Sequence, residues 1–282
     1  MSTLPRDIKT SRTPTLVHSN PVLSRLSKIT ERTETDAATY TGIAVKTTYF
    51  LLITMLGMLA QLIVKSAMAS EPVWETIQVY EKFTLTLTLK EALIVGGVLI
   101  LGLISELLGI FAQRTIPVTG TLYAASQGYV ISFLLFNVLK GYEYLGLEAL
   151  LLTAAVVAAM SWLYSTGVIQ VNQKFRTVLL SLVLGSIGVG VLGFLGSLIP
   201  ATRPYVQSMM NNAGFTVLMD VLGLVIASLF LISDFAMVHD CVKEGYPKHY
   251  EWSAAFGLVF TVIWIYLKIL DLLMQVAGKK KD

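Results

Sequence analysis

Apolar segments of about twenty residues recur along the chain and constrain its fold more than any other feature. A helix of this length crosses the ~30 Å hydrocarbon core of a bilayer. Seven such segments are predicted, at about 44–69, 91–112, 116–139, 146–169, 177–200, 214–238 and 252–276. The sequence therefore predicts an all-α, polytopic membrane protein with seven transmembrane helices.

The composition indicates the same class. Hydrophobic residues make up 55% of the chain and charged residues 14%, a balance far from that of soluble globular proteins. The net charge of +3 is small and lies mostly in loops and tails, so it bears on topology and not on nucleic-acid binding. The lipid bilayer is the expected partner, and nucleic acid is not.

Three regions differ in composition. Residues 1–43 are polar, with basic side chains spread among Ser and Thr and no apolar core of signal-peptide length. We expect this region to be a mostly disordered cytoplasmic tail. Residues 44–276 form the predicted transmembrane domain, and residues 277–282 form a short basic C-terminal tail.

The distribution of Lys and Arg predicts the orientation. With the N-terminal tail inside, the inner connections carry Arg114, Lys174, Arg176, Lys243 and Lys248, and the outer ones carry Lys82, Lys90, Lys140 and Arg203. The difference is small, but the basic N-terminal tail favours an inside N-terminus. Lys279–Lys281 then lie outside, against the rule.

The fourth and fifth predicted helices are rich in small residues spaced four apart. This spacing puts each pair on one helix face, where two backbones can approach closely. The pairs are Ala154 and Ala158, Ser181 and Gly185, Ser186 and Gly190, and Gly193 and Ser197. We therefore predict that these two helices pack inside the bundle. Residues 188–193 also match the glycine spacing of a dinucleotide-binding motif, but no strand precedes them, so helix packing is the favoured interpretation.

Asp234 is the main candidate functional residue because it lies inside an apolar run of spanning length. A charge at the centre of a membrane helix costs about 2.5–3.5 kcal/mol, so such a residue is a functional-site hypothesis by default. Asp220 lies fourteen residues earlier, on nearly the same helix face and ~21 Å away along the axis. The two acids either mark the ends of one polar path or pair with polar neighbours and fix the helix register.

Two further charged residues are candidate partners of Asp234. Glu106, in the second predicted helix, is expected at a similar depth, and Arg114 lies near the cytoplasmic end of that helix. Burial favours the protonated form of a carboxyl group, whereas a nearby arginine favours the ionised form. We therefore predict that Asp234 is a pH sensor whose charge sets helix packing and that Arg114 holds its ionised form.

Other polar residues carry weaker signals. Lys46 and Lys65 fall near the two ends of the first helix and are predicted to extend to the membrane surface. Residues 239–250 crowd His, Asp, Cys and Glu into one turn, but their spacing fits no standard zinc site, so a solvated loop is favoured. No nucleophile–base motif and no helical zinc motif appears. We expect no enzymatic activity, no cofactor and no bound metal.

Two stretches of the chain carry a family resemblance. One is the N-terminal segment Ser19–Leu26, with the sequence SNPVLSRL. The other is Leu229–Leu273, in which Asp234 is followed by the turn GYPK and then by EWSAAFGL and WIYL. These stretches resemble the transmembrane Bax inhibitor motif family, and more narrowly a bacterial branch of Bax inhibitor-like membrane proteins.

This resemblance implies a fold in which six helices wrap around a central C-terminal helix, and a pH-sensitive calcium leak in the cell (inner) membrane. In the best-understood members, two aspartates of the last two helices share a proton, and an arginine at the cytoplasmic end of the second helix latches the closed state. Asp234 matches the first aspartate, and Arg114, six residues before Gly120, matches the arginine.

The second acid departs from the family pattern. Related sequences carry an acid after a Tyr-Leu pair in the last helix, whereas here Tyr266-Leu267 is followed by Lys268. Asp271 lies one turn further on the same face and is a candidate ion-pair partner of Lys268. Both are predicted about 25–30 Å from the cytoplasmic end, much deeper than Asp234. The lysine is expected either to hold a neighbouring acid ionised or to repel calcium from the path.

The preferred hypothesis is a pH-modulated calcium (cation) leak channel, with calcium as the transported ion. The alternative belongs to another class: a non-channel membrane regulator that binds a partner such as a membrane-bound protease. A secondary transporter is disfavoured, because no inverted repeat and no helix broken at mid-membrane is evident in the sequence. The two leading hypotheses differ at Asp234, whose charge must switch in the leak.

Overall fold

The computed structural model describes residues 37–78, 83–210 and 212–278. Its eight α-helices are α1 (Tyr40–Ala67), α2 (Leu89–Phe111), α3 (Ile116–Phe133), α4 (Tyr144–Ser165), α5 (Gln173–Leu198), α6 (Arg203–Met210), α7 (Ala213–Lys243) and α8 (Tyr250–Gly278). Two short strands, β1 (Glu75–Gln78) and β2 (Thr84–Leu87), pair antiparallel. The predictions about residues 1–36 and 279–282 concern parts of the chain outside the described residues.

Capping side chains account for where several long helices begin. Thr39 accepts a hydrogen bond from a backbone N–H of the first turn of α1. Thr88 and Glu91 form a reciprocal capping box at the start of α2. Asn172 and Asn212 cap α5 and α7. Because the first unpaired N–H groups gain partners, these helices begin one to four residues before the predicted starts.

Six helices of the described residues are long and apolar enough to cross a membrane: α1, α2, α4, α5, α7 and α8. The segment predicted at 116–139 forms α3, which continues as one turn of π-helix, Leu134–Val138. The all-α, polytopic membrane fold is therefore confirmed. Six of the seven predicted segments correspond to helices of spanning length and hydropathy.

The C-terminal helix α8 is the centre of the bundle. Half of the residues in its most apolar 18-residue stretch are buried, a larger share than in any other of the six helices. It packs against α1, α3, α4 and α7, whereas α2 packs on α3 and α5 packs on α6 and α7. Phe256, Ile265 and Leu270 of α8 have no exposed surface. The central last helix implied by the family resemblance is therefore present.

The long helices alternate in direction, which assigns every helix end to one of two sides. We term the side where α1, α3, α5 and α8 begin the N-terminal end, and the side where α2, α4 and α7 begin the opposite end. Tyr40 at the start of α1 contacts His239 near the end of α7, which brings both to the N-terminal end.

Glycines allow α1 and α3 to lie very close together. A Cβ atom added at Gly128 would be 1.9 Å from the Thr54 carbonyl oxygen, and one added at Gly57 would be 2.1 Å from the Ala125 carbonyl oxygen. Both distances are far below van der Waals contact, so no side chain fits at either position. This close approach fixes α1 on the core and, with it, the side chain of Lys46.

The prediction that the fourth and fifth helices pack inside the bundle is wrong for α5. Only 11% of the residues in its most apolar 18-residue stretch are buried. A Cβ atom added at Gly185 or Gly190 would meet nothing within 4 Å. Ala154 and Ala158 are also exposed, although α4 packs through another face on α7 and α8. Small residues permit close helix approach but do not require it. The larger Leu179 instead sets which part of α5 turns inward.

Three further elements differ from the predictions. The loop predicted at 70–90 contains the β1–β2 hairpin, and the short α6 precedes α7. In addition, α7 continues to Lys243, five residues beyond its predicted end at Val238. The polar residues at its end remain helical because neighbouring helices supply partners for their side chains. Asp234 is consequently deeper in the bundle than the sequence indicated.

Candidate functional site

Asp234 of α7 is completely buried and faces α8. The Thr261 hydroxyl of α8 donates a hydrogen bond to Asp234 Oδ2 at 2.5 Å. Thr261 is itself only 1% exposed. A hydroxyl can donate to a carboxylate or to the carbonyl oxygen of a carboxylic acid. The contact therefore accommodates both protonation states of Asp234.

The turn between α7 and α8 brings these two residues together. Gly245 adopts φ +66°, a conformation that favours glycine and ends α7. Asp234 lies thirteen residues before Pro247, and Thr261 lies thirteen residues after Lys248. In an antiparallel helix pair, positions equally far from the turn lie at the same level because both helices rise equally per residue.

A second set of polar contacts joins α7 and α8 (the α7–α8 hairpin), closer to the opposite end. Lys268 Nζ donates to Asp220 Oδ1 at 2.8 Å, and Gln275 Nε2 also donates to Asp220. Asp271 accepts a 3.5 Å hydrogen bond from Gln275 Nε2. Gly223 makes room for the lysine, since a Cβ atom there would be 3.3 Å from Lys268 Cε. The sequence offered Asp271 as the partner of Lys268, whereas the structure pairs Lys268 with Asp220 on the neighbouring helix.

Arg114 lies at the N-terminal end, in the single 3-10 turn between α2 and α3. Its side chain is exposed and lines a pocket with His249 and Trp252, at the start of α8. Trp252 precedes Thr261 by nine residues, which places Arg114 and Asp234 ~14 Å apart along α8. The ion pairs of the described ranges include none between them. A pair would require movement of α2 or α7.

Glu106 is half-buried on α2 and lies near the Tyr123 phenol of α3. The Tyr123 ring packs against Phe256 and Phe260 of α8, with ring centroids 5.3 and 5.7 Å apart. Tyr123 thus connects Glu106 to α8. The sequence predicted Glu106 and Asp234 at similar depth. The described hydrogen bonds and ion pairs include none between these two residues.

A buried carboxylate that the sequence analysis did not single out closes the N-terminal end. Glu251 has no exposed surface and forms an ion pair with Lys46 of α1. Its Oε1 accepts hydrogen bonds from Thr39 N at 2.8 Å and from Thr39 Oγ1 at 3.1 Å. Lys46, predicted to extend to the membrane surface, instead directs its ammonium group inward. The start of α1 is thereby joined to the start of α8.

The last turns of α7 are joined to the same end of the bundle. Arg176 of α5 lies 3.6 Å from Asp240 Oδ2, and the Tyr40 hydroxyl is 2.6 Å from His239 Nδ1. Cys241 is buried. The prediction of a loop is therefore wrong for residues 239–241, which are helical, and Cys241 is also shielded from solvent, whereas His239 is exposed as predicted. Within the described ranges, no group of three or more His, Cys, Asp or Glu side chains is arranged to hold a metal ion.

The turn itself is packed against the segment that precedes α1. The backbone N–H of Ala38 donates to the Tyr246 carbonyl oxygen at 2.6 Å. Burial, and then the nearby Glu244 carboxylate, raise the pKa of Tyr246 above its ordinary value, so its phenol stays protonated at physiological pH. Three groups of contacts therefore hold the α7–α8 turn at the N-terminal end.

A buried polar network near the opposite end was also not predicted. The Ser132 hydroxyl donates to Gln61 Oε1 at 2.9 Å, and Gln61 Nε2 lies 3.5 Å from Asn137 Oδ1. Asn137 Nδ2 is 3.5 Å from Glu91 Oε1, which links the π-helical turn to α2. Lys65 donates to a backbone carbonyl of the same turn and is only part-buried. The network satisfies polar groups that a membrane core cannot.

Removing the Lys268 side-chain charge is expected to destabilise the hairpin. In Lys268→Met, Asp220 keeps its burial but loses its cationic partner, at a cost of about 2 kcal/mol. The double variant Lys268→Met/Asp220→Asn removes both charges and should recover part of that loss. Thermal unfolding of the purified protein in detergent measures both effects.

Lys174→Met, at an exposed position of α5, is the control for loss of a lysine. Equal losses of thermal stability in Lys268→Met and in the double variant would contradict an energetic coupling between Lys268 and Asp220.

A family model described as Bax inhibitor 1 like matches residues 20–278. The matched range includes every helix from α1 to α8. A search of the curated proteins and a search of the solved structures gave no match to the chain.

Proposed function

Since the chain belongs to the Bax inhibitor 1 like family, we propose that it is a pH-modulated calcium (cation) leak channel with Asp234 as sensor and Arg114 as latch. In this proposal it lies in the cell (inner) membrane with its N-terminus in the cytoplasm. It has no catalytic role and needs no resident cofactor, and calcium is its transported ion.

The observation that carries the proposal is the complete burial of the Asp234 carboxyl group against Thr261. Burial in an apolar bundle favours the protonated form, and an approaching cation favours the ionised form. Since the Thr261 hydroxyl accommodates either form, the balance can be changed by pH without breaking this hydrogen bond.

Arg114 is the proposed source of the competing charge. When Asp234 is ionised, the guanidinium is drawn to it and α2 closes on the α7–α8 hairpin. Protonation of Asp234 removes this attraction and releases Arg114. The arrangement described above, with Arg114 exposed near Trp252, is the unlatched one in this proposal. Flux should therefore rise as the pH at the N-terminal end falls.

The charge distribution supports a cytoplasmic N-terminal end. The described basic residues at that end are Lys46, Arg114, Lys174, Arg176, Lys243 and Lys248, and those described at the opposite end include Lys65, Lys90, Lys140 and Arg203. This difference is small, and the basic residues of the N-terminal tail add to it.

Calcium flux from liposomes loaded with a calcium-sensitive dye tests the proposal. Purified wild-type protein should give flux that increases at acidic pH, because protonated Asp234 no longer attracts Arg114. Asp234→Asn should give flux that no longer depends on pH. Thr261→Val, which removes only the hydroxyl donor, should shift the pH at which flux changes.

Glu148→Gln is the matched control, because Glu148 is an exposed acid of α4. It should leave the pH dependence unchanged. Absence of flux above that of empty liposomes at every pH would rule out the leak, and unchanged pH dependence in Asp234→Asn would rule out the sensor.

One observation favours the alternative, a non-channel regulator that binds a membrane partner such as a protease. Lys268 stands where related sequences carry an acid, and its pairing with Asp220 neutralises that level of the hairpin. A neutral pair offers little attraction to a divalent cation. Wild-type liposomes without flux, together with co-purification of a membrane protease, would support this function.

A further inference from the structure

A pocket of about 310 Å³ opens at the N-terminal end between the α2–α3 turn and the start of α8. It is lined by Gln113, Arg114, Pro117, His249 and Trp252. The set combines a permanently cationic guanidinium, an amide, an imidazole, and the largely apolar rings of Pro117 and Trp252. Such a pocket is suited to a small polar group attached to, or bordered by, apolar surface.

Gln113 contributes a donor that has no partner among the described residues. Its Nε2 atom is buried, and within the described part of the chain no acceptor lies within hydrogen-bond distance of it. A buried polar atom left unpaired is energetically costly, so a ligand acceptor in the pocket would remove this cost. The structure thus contains an N–H group at the pocket wall that lacks only an acceptor.

Arg114 and His249 add donors from two different elements. Arg114 belongs to the α2–α3 turn and His249 immediately precedes α8, and both side chains are exposed. A guanidinium presents its N–H groups in a planar fork that matches two oxygens of one phosphate. Donors on separate elements can therefore surround a tetrahedral anion from more than one side.

The surrounding electrostatics also favour an anion. α3 begins at Ile116 and α8 begins at Tyr250, so two helix N-termini lie beside the pocket. Glu251, the acid next to Trp252 in the sequence, is completely buried and paired with Lys46, so the two charges largely cancel. It therefore offers little repulsion to an anion in the pocket.

We propose that this pocket binds a phosphate group, supplied either by the headgroup of an anionic phospholipid or by free phosphate. The pocket lies where α2 ends and α8 begins, which is headgroup depth for helices that span the hydrocarbon core. Trp252 and Pro117 supply apolar lining that the glycerol and acyl part of a lipid could contact, and tryptophan is typical of this membrane zone. The proposal concerns binding and does not depend on ion conduction.

Two binding measurements on the full-length protein in detergent distinguish the sources. Native mass spectrometry with equimolar phosphatidylglycerol and phosphatidylcholine tests the lipid. Isothermal titration calorimetry with potassium phosphate, against potassium chloride of equal ionic strength, tests the free anion. Phosphatidylglycerol retained about tenfold over phosphatidylcholine would identify the lipid headgroup, and phosphate binding without this preference would identify the free anion.

Variants assign the binding to this pocket. Arg114→Gln and Gln113→Leu should each reduce the observed affinity about tenfold, because Arg114→Gln removes the guanidinium and Gln113→Leu removes an amide donor at nearly constant size. Arg203→Gln is the matched control, since Arg203 is an exposed arginine of α6 at the opposite end. Wild type that binds neither phosphate nor phosphatidylglycerol above phosphatidylcholine would overturn the proposal. Binding that both pocket variants retain at wild-type affinity would overturn it as well.

Because the readout is binding, its outcome is separable from that of the flux experiment. A protein that conducts calcium but binds no phosphate would leave the leak intact and remove this site. A protein that binds phosphatidylglycerol but conducts nothing would retain the site and remove the leak.

Discussion

Replacing Gly128 by alanine is expected to prevent normal packing of the bundle. The new Cβ atom would lie 1.9 Å from the Thr54 carbonyl oxygen, which belongs to the backbone of α1 and cannot rotate away. α1 and α3 would have to separate by more than ~1 Å to restore ordinary contact, and overpacking of this kind costs about 1–3 kcal/mol or more. The separation would also disturb Lys46, which α1 carries to Glu251.

The measurement is the yield of monodisperse protein in detergent together with its Tm. We expect Gly128→Ala to lose most of the yield and at least about 10 °C of Tm. Gly185→Ala is the matched control, because a Cβ atom at Gly185 meets nothing within 4 Å. Alanine is a better helix former than glycine by about 1 kcal/mol, so this control should be neutral or slightly stabilising. Similar behaviour of the two variants would show that α1 and α3 are not as close as described.

Replacing Glu251 by glutamine is expected to have the second large effect. Glu251 is completely buried and accepts hydrogen bonds from Lys46 and from two donors of Thr39. Glutamine keeps the shape but leaves the Lys46 ammonium group without a counter-charge, and breaking a buried ion pair from one side costs about 3–5 kcal/mol. The beginning of α1 should then separate from the beginning of α8.

Hydrogen–deuterium exchange locates this change, and Tm gives its size. Amides of the first turns of α1 and α8 should exchange faster in Glu251→Gln, while those of α5 should not change. Lys46→Met/Glu251→Gln should be less destabilised than Glu251→Gln alone, because no unpaired charge remains. A Tm and exchange pattern like those of wild type would show that the ion pair contributes no stability.

The sequence identified Asp234 because a charge inside an apolar run is rare and expensive. It did not identify Thr261, since threonine hydroxyls in helices usually bond to a carbonyl of the preceding turn, as Thr54 and Thr153 do in this protein. A threonine in a membrane helix therefore carries no signal of a partner. The only available signal was its distance from the turn, which matches that of Asp234.

The same limit explains the charged residues whose partners were missed. Lys46 and Lys268 each lie on one helix and pair with an acid of another, Glu251 and Asp220. The sequence suggested local solutions, extension to the membrane surface for Lys46 and an ion pair within α8 for Lys268. Interhelical pairs depend on the register of two helices, which no single helix encodes.

The approximate positions and the hydropathy of the six helices of spanning length, and the class of protein, follow from the sequence. Helix hydrogen bonds are local, and the cost of exposing polar groups to lipid depends on each segment alone. The exposure of the small residues of α5, the depth of Asp234 and its contact with Thr261 depend on tertiary structure. The register of α7 against α8 brings Asp234 to Thr261, and the packing of α5 on α6 and α7 leaves small residues such as Gly185 and Gly190 exposed. Side chains far apart in sequence meet only when whole helices are packed.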